Sequence, residues 1–186
     1  MDFKNLYIYS KSLQQPKYKH LKSVFSNLKG IGFYTYSNNS EIKSPNEAKP
    51  FSIFIFDDVA TERQDNIREY FAMGRHNSID SFYLCQSYSQ IPKHLICDNA
   101  NFLILFKQDV LNLSNIYKSH INSKMTFDNF LKLCRECWNG DEHGFLVIDK
   151  DSKMNEGRYR RGFNTFMLMK IMMMIMKMMI CNLMMH

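Results

Sequence analysis

At 186 residues the chain is long enough for one full core, and its 45% hydrophobic and 23% charged content is that of an ordinary globular protein. A net charge of +6 favours polyanionic partners such as nucleic acid. The five cysteines, at 85, 97, 134, 137 and 181, are odd in number and scattered, which excludes a disulfide framework. No apolar signal segment follows Met1, so the expected setting is reducing and intracellular.

Leu6 to Tyr9 reads as a short strand of bulky residues. A helix pattern runs from Pro16 to Leu28, with proline suited to the first turn and Tyr18, Leu21, Val24, Phe25 and Leu28 along one apolar face. Gly30 and Gly32 stop it, and Phe33 to Tyr36 suggests a second strand. Residues 37–50 are polar and contain Pro45 and Pro50, hence a loop.

The run from Phe51 to Asp58 is the most informative stretch. Five of its first six residues are large and apolar, which reads as a central strand of a parallel sheet covered by helices on both sides. Asp57 and Asp58 then fall at the carboxyl end of that strand, where open α/β sheets bind ligands. In P-loop NTPases this pattern is the Walker B element: the first acid holds Mg²⁺ on the phosphates and the second orients the attacking water. The alternative is a strand-to-loop turn with two solvated acids.

Thr61 opens the next expected helix, which carries Ile67, Tyr70, Phe71 and Gly74 and ends at Arg75. Arg75 is read either as an arginine finger reaching a neighbouring subunit's nucleotide or as a cation favoured at a helix C-terminus. Asp80 to Cys85 is a strand ending in the polar loop Gln86 to Pro92. Asp57-Asp58, Gln86 and the Arg75 region between them are expected to converge at strand ends, with Gln86 as a sensor of the terminal phosphate; taken alone it would be a strand cap. Asn101 to Phe106 is a further apolar strand, followed by helices near 110–121 and 126–138. Cys134 and Cys137 fall on the latter and are expected to pack inward. A structural zinc would need two more ligands, and only His120 and His143 are near. Gly144 to Asp149 is the last strand. The segment Gly157 to Arg161 follows it, with Arg158, Arg160 and Arg161 as candidate DNA phosphate contacts, against a solvated charge run. Strands alternating with helices give an α/β fold with a mostly parallel sheet.

Ten of the 14 methionines lie after Phe166. The segment Phe166 to His186 is long enough to span a membrane, but Lys170 and Lys177 near its centre cost about 5–7 kcal/mol. It is read as a low-complexity, artefactual or degenerate tail on a domain covering residues 1–165, with a tail anchor as the alternative.

Taken in order, several segments resemble the poxvirus-type DNA-packaging ATPases of the FtsK–HerA P-loop superfamily, and most closely the versions carried by Maverick/Polinton-type elements and related DNA viruses. These are Phe56 to Asp58, Gln64 to Arg68, Gly74 to His76, Ser81 to Gln86, Ile91 to Lys93, Asp98 to Asp109 and Gly144 to Asp149. The resemblance covers about residues 3–165. It implies a RecA-like core that assembles as a homo-oligomeric ring and drives double-stranded DNA into a capsid using Mg²⁺ and ATP, in the nucleus or at a viral assembly site. By the same resemblance Asp57 is the Mg²⁺ acid, Asp58 the catalytic carboxylate, Gln86 the sensor and Arg75 a finger acting in trans.

One departure stands against the matches: no G-x-x-x-x-G-K-[ST] occurs anywhere in the sequence. Family members carry this loop on a strand and helix ahead of the strand that is Leu6 to Tyr9 here. Its backbone amides and lysine cradle the nucleotide's phosphates. The expectation is therefore a partial core missing its first strand and P-loop, which neither binds ATP tightly nor hydrolyses it. A truncated gene model or a decayed copy would each produce it, and Cys97, where a basic residue is expected by resemblance, fits decay. Two further readings stand beside this one. The first is a non-catalytic DNA-binding or ring-subunit protein. The second is a metal-dependent nuclease built on Asp57, Asp58 and Asp149.

Overall fold

The structure is a computed structural model that describes residues 3–92, 98–121, 125–139, 142–153, 156–163 and 165–166. The chain divides into two compact units, Met1–Asn99 and Ala100–His186. Cys97 and the tail beyond 166 lie outside the described residues.

The first unit is a four-stranded parallel sheet in the order β2-β1-β3-β4. Its strands are β1 (Asn5–Tyr9), β2 (Gly32–Tyr36), β3 (Ser52–Asp57) and β4 (Ile79–Leu84). Helix α1 (Pro16–Ser26) links β1 to β2, and α2 (Asp65–Met73) links β3 to β4. Parallel neighbours need such crossovers, and the two helices cover opposite faces. On one face Tyr7, Phe54 and Phe56 pack with Ile67 and Tyr70 of α2, the Phe54 and Tyr70 rings lying 4.3 Å apart. On the other, Leu6, Ile8, Ile53 and Ile55 pack against Tyr18, Leu21 and Phe25 of α1. The unbroken apolar run of β3 thus serves two helices. Phe54 and Phe56 are fully buried, while Ile53 and Ile55 are partly so.

Helix α2 starts at Asp65, four residues later than the sequence pattern suggests. The Gln64 amide donates to the carbonyls of Val59 at 2.7 Å and Glu62 at 2.8 Å, holding 59–64 in a turn. Its carbonyl oxygen accepts from the Tyr83 hydroxyl at 3.3 Å, tying that turn to β4.

The second unit is a four-stranded antiparallel sheet in the order β5-β6-β7-β8. Its strands are β5 (Phe102–Leu105), β6 (Leu146–Asp149), β7 (Tyr159–Arg161) and β8 (Thr165–Phe166). Helix α3 (Val110–Ile116), a π-helical turn (Tyr117–Ile121) and α4 (Phe127–Trp138) form the excursion between β5 and β6. Asp109 caps α3 by accepting from the Asn112 amide at 2.8 Å, and Thr126 caps α4 from Asn129 at 3.4 Å. Leu133, Cys134 and Cys137 of α4 and Leu146 and Ile148 of β6 are fully buried. The basic segment is therefore a strand, and the apolar run at β5 pairs antiparallel to β6.

Candidate functional site

The site grows out of the polarity of the first sheet. All four strands run the same way, and Asp57 at the end of β3 is in register with Leu84 at the end of β4. Their carboxyl ends, with the loops that follow, make one edge. A cavity of about 310 Å³ opens there, lined by Ser10, Ser12, Gln15, Lys17, Tyr18, Asp57, Asp58, Leu84, Cys85 and Gln86. Three sequence-predicted residues, Asp57, Asp58 and Gln86, are thus brought to one place.

Side chains alternate along a strand, so Asp57 shares the face of Ile53 and Ile55. That face is covered by α1, and the first turn of α1 reaches the carboxylate. Asp57 Oδ2 accepts from Lys17 Nζ at 2.7 Å and from the Tyr18 hydroxyl. The Tyr18 hydroxyl oxygen, its one proton given to Asp57, also lies 3.0 Å from Ser10 Oγ and can accept from it; Ser10 is the fully buried residue that follows β1. Burial, and next the bond to Asp57, push the Tyr18 phenol above its ordinary value, so it remains a neutral donor. The bond to Asp57 raises Lys17 in the same way and keeps it charged. Sequence reasoning placed Tyr18 only in an apolar face and gave Lys17 no role. The available signal was a Lys-Tyr pair in the first turn of a helix that starts just past a strand end.

Asp58 leaves the strand in the left-handed region, at φ 55°, and its amide donates to the Leu84 carbonyl at 3.1 Å. That bond carries β3–β4 pairing one residue beyond the last strand pair, while the φ breaks the alternation and leaves the Asp58 side chain exposed. Gln86 is likewise exposed, two residues past β4.

Arg75 lies elsewhere. It sits on the short 3₁₀ turn Gly74–Asn77, whose chain enters β4 at Ile79 opposite Ser52, the first residue of β3. That is the amino edge of the sheet, about 16 Å of strand away from Asp57. Within one chain Arg75 and the carboxylates are not brought together.

Two arginines of β7 and its approach, Arg158 and Arg160, are engaged by the chain around them. Arg158 is 8% exposed and donates through Nη1 to the carbonyls of Lys150 at 2.9 Å and Ser152 at 3.3 Å. Arg160 donates to the Gly157 carbonyl at 2.9 Å and pairs with the buried Asp149 carboxylate. Asp149 also accepts from the amides of Asp151 and Ser152 and from the Ser152 hydroxyl. Arg158 and Arg160 therefore close the turn after β6 and are not free phosphate contacts. Arg161 is partly buried on β7. The same contacts remove Asp149 from a nuclease site, and among the described residues no three His, Cys, Asp or Glu side chains gather to hold a metal.

A divalent metal nevertheless fits the first unit's cavity in part. The donors there are hard oxygens, and Asp57 Oδ1 accepts no hydrogen bond among the described residues. Mg²⁺ commonly takes one or two carboxylates and completes its shell with water and phosphate oxygens. Cys134 and Cys137 are fully buried on α4, and among the described residues no further His, Cys, Asp or Glu side chain joins them in a group that could hold zinc. Among the described residues no helix is long and apolar enough to cross a membrane.

By sequence, the chain matches no family model and no characterised protein. By fold, it is similar to the DNA-packaging ATPase B204 of Sulfolobus turreted icosahedral virus, with a TM-score of 0.57 over 86% of this chain and 82% of that one, at 14% identity. The genome-packaging NTPase B204 of Sulfolobus turreted icosahedral virus 2 is similar in its AMPPCP complex, with a TM-score of 0.54 over 84% and 80% of the two chains, at 12% identity. Its AMP complex gives 0.51 over 78% and 77%, at 14% identity. The chain has the α/β fold of these viral genome-packaging NTPases, with helices flanking the parallel sheet of its first unit.

Proposed function

We propose that this chain is the Walker B and sensor part of a viral-type DNA-packaging ATPase, of the FtsK–HerA kind carried by Maverick/Polinton-type elements. The observation that supports this reading is the convergence of Asp57, Asp58 and Gln86 on one cavity at the carboxyl edge of a parallel sheet. Similarity of fold to packaging NTPases, some in complex with AMP or AMPPCP, agrees with it. In this reading Asp57 would hold Mg²⁺, and Tyr18 positions its carboxylate through Oδ2. Asp58, exposed at the cavity, accepts the proton of the attacking water, and Gln86 hydrogen-bonds that water or the terminal phosphate. The metal, when bound, neutralises charge developing on the phosphates. Arg75, at the opposite sheet edge, acts on the nucleotide of a neighbouring copy in a ring around double-stranded DNA.

The sequence carries no G-x-x-x-x-G-K-[ST], so these 186 residues alone hold no phosphate cradle and turn over no ATP. That favours, as a second reading, a non-catalytic ring subunit. Incubating the chain with Mg²⁺, ATP and linear duplex DNA, while following phosphate release and DNA integrity, tests the lack of turnover on which both readings agree and separates them from a nuclease. Neither product is expected. Phosphate release would refute the claim that the absent loop disables the chain. Cleavage of DNA without ATP would replace the motor reading with a nuclease.

A further inference from the structure

Lys17 and Tyr18 engage the same oxygen of Asp57 but are held very differently. Tyr18 is 6% exposed, packed among Leu6 and Ile8, and anchored a second time on Ser10. Lys17 has a side chain 54% exposed, against 14% for Asp57, and its ammonium donates to Asp57 and lies 4.8 Å from the centre of the Tyr18 ring. One donor is fixed by the core; the other is a flexible tether ending in a unit charge.

We propose that Lys17 is the built-in counter-ion of Asp57, an ammonium that a divalent cation must displace to use this carboxylate, and that Tyr18 is the positioning residue that keeps the carboxylate in place during the exchange. This rests on the reading of Asp57 as the metal acid. The ammonium lies 2.7 Å from Oδ2, inside the volume a metal on that carboxylate would command. Like charges at such distances repel strongly even in water, so a metal cannot share the carboxylate with Lys17 at no cost. The exposed tether lets the ammonium swing out with little loss, since pairs of this exposure contribute little to stability. Tyr18 has no such freedom. Its neutral hydroxyl adds no charge to oppose the metal, and it fixes Oδ2 while Oδ1 accepts no hydrogen bond among the described residues. The arrangement lets the carboxylate sit paired at the rim of the cavity without collapsing onto another partner.

The test is Mn²⁺ binding by the full chain, read from the free-ion EPR signal. K17M is expected to bind about tenfold more tightly than wild type, and K17R to match wild type, because it keeps the charge. Y18F is expected to bind about three- to tenfold more weakly with the fold retained by circular dichroism. A purely structural Lys17–Asp57 bridge would lower thermal stability slightly in K17M and leave Mn²⁺ affinity unchanged, which would overturn the inference. Adding D57N to K17M distinguishes the two levels. Loss of binding there, without a gain in K17M alone, sinks only the role of Lys17. Binding that survives D57N, or no Mn²⁺ binding by any variant, removes Asp57 as the metal acid and this inference with it.

Discussion

Burial pushes both Cys134 and Cys137 up to about 12 from an ordinary value of 9.0; their mutual proximity adds for Cys134, while Arg161 opposes the shift for Cys137. A thiol in this state is protonated at pH 8 and poorly nucleophilic. We expect iodoacetamide at pH 8 to leave both unmodified in the folded chain and to alkylate both in denaturant, as read by peptide mass spectrometry. Modification of either in native buffer would contradict the burial. The sign for stability follows. The folded pKa is raised, so the contribution is present below pH 9, where the unfolded thiol is also protonated, and is lost as pH rises through about 12. The inward packing of this pair was legible from the helical spacing of Phe127, Phe130 and Leu131. The part played by Tyr18 was not, because a tyrosine in an apolar stripe fits the core whether or not its hydroxyl has work at the rim.

At the level of elements, the turn between β6 and β7 shows how a charge run becomes structure. Alternation along β7 buries Tyr159, and Asp149 at the end of β6 is 5% exposed. A buried carboxylate needs donors, and Arg160 is one of them. Arg160→Gln is expected to destabilise the chain by about 2 kcal/mol in urea unfolding, less than the 3–5 of a fully isolated buried charge because the Ser152 and backbone donors remain. A solvated phosphate contact would leave the midpoint unchanged. Gly144, just before β6, makes a second test. A Cβ there would lie 2.4 Å from the Cys137 carbonyl oxygen and 3.0 Å from that of Trp138, both backbone atoms that cannot yield. Gly144→Ala should therefore cost about 2 kcal/mol or more by the same assay, although glycine-to-alanine changes are stabilising where space allows. Strand existence was readable here from apolar runs. Strand direction was not, since an unbroken run such as Phe102 to Leu105 carries no information about the polarity of its neighbour. That polarity is set by the two-helix excursion from Val110 to Trp138.

For the molecule as a whole, the decisive property is that a parallel sheet has two chemically different edges. The sequence displays this for Asp57, Asp58 and Gln86, because each follows an apolar strand in the chain and so must fall at a carboxyl end. The reading of the sequence sets Arg75 with them, but Arg75 precedes a strand and the structure puts it at the other edge. About 16 Å of strand separates Arg75 from Asp57, beyond the screening length of about 8 Å in physiological salt. Arg75→Ala should then change Mn²⁺ affinity at Asp57 by less than twofold in dilute protein, where Lys17→Met changes it about tenfold. The same titration at protein concentrations high enough for self-association carries the further information. If a neighbouring copy presents Arg75 to the carboxylates, the wild type should lose Mn²⁺ affinity as it assembles, because an added cation near the site opposes the metal, and Arg75→Ala should not. Affinity independent of concentration in both proteins, with assembly confirmed by sedimentation, would remove Arg75 from the site altogether. The expected divergence would place it there only across a subunit boundary, which is the one route by which its position at the amino edge can serve chemistry at the carboxyl edge.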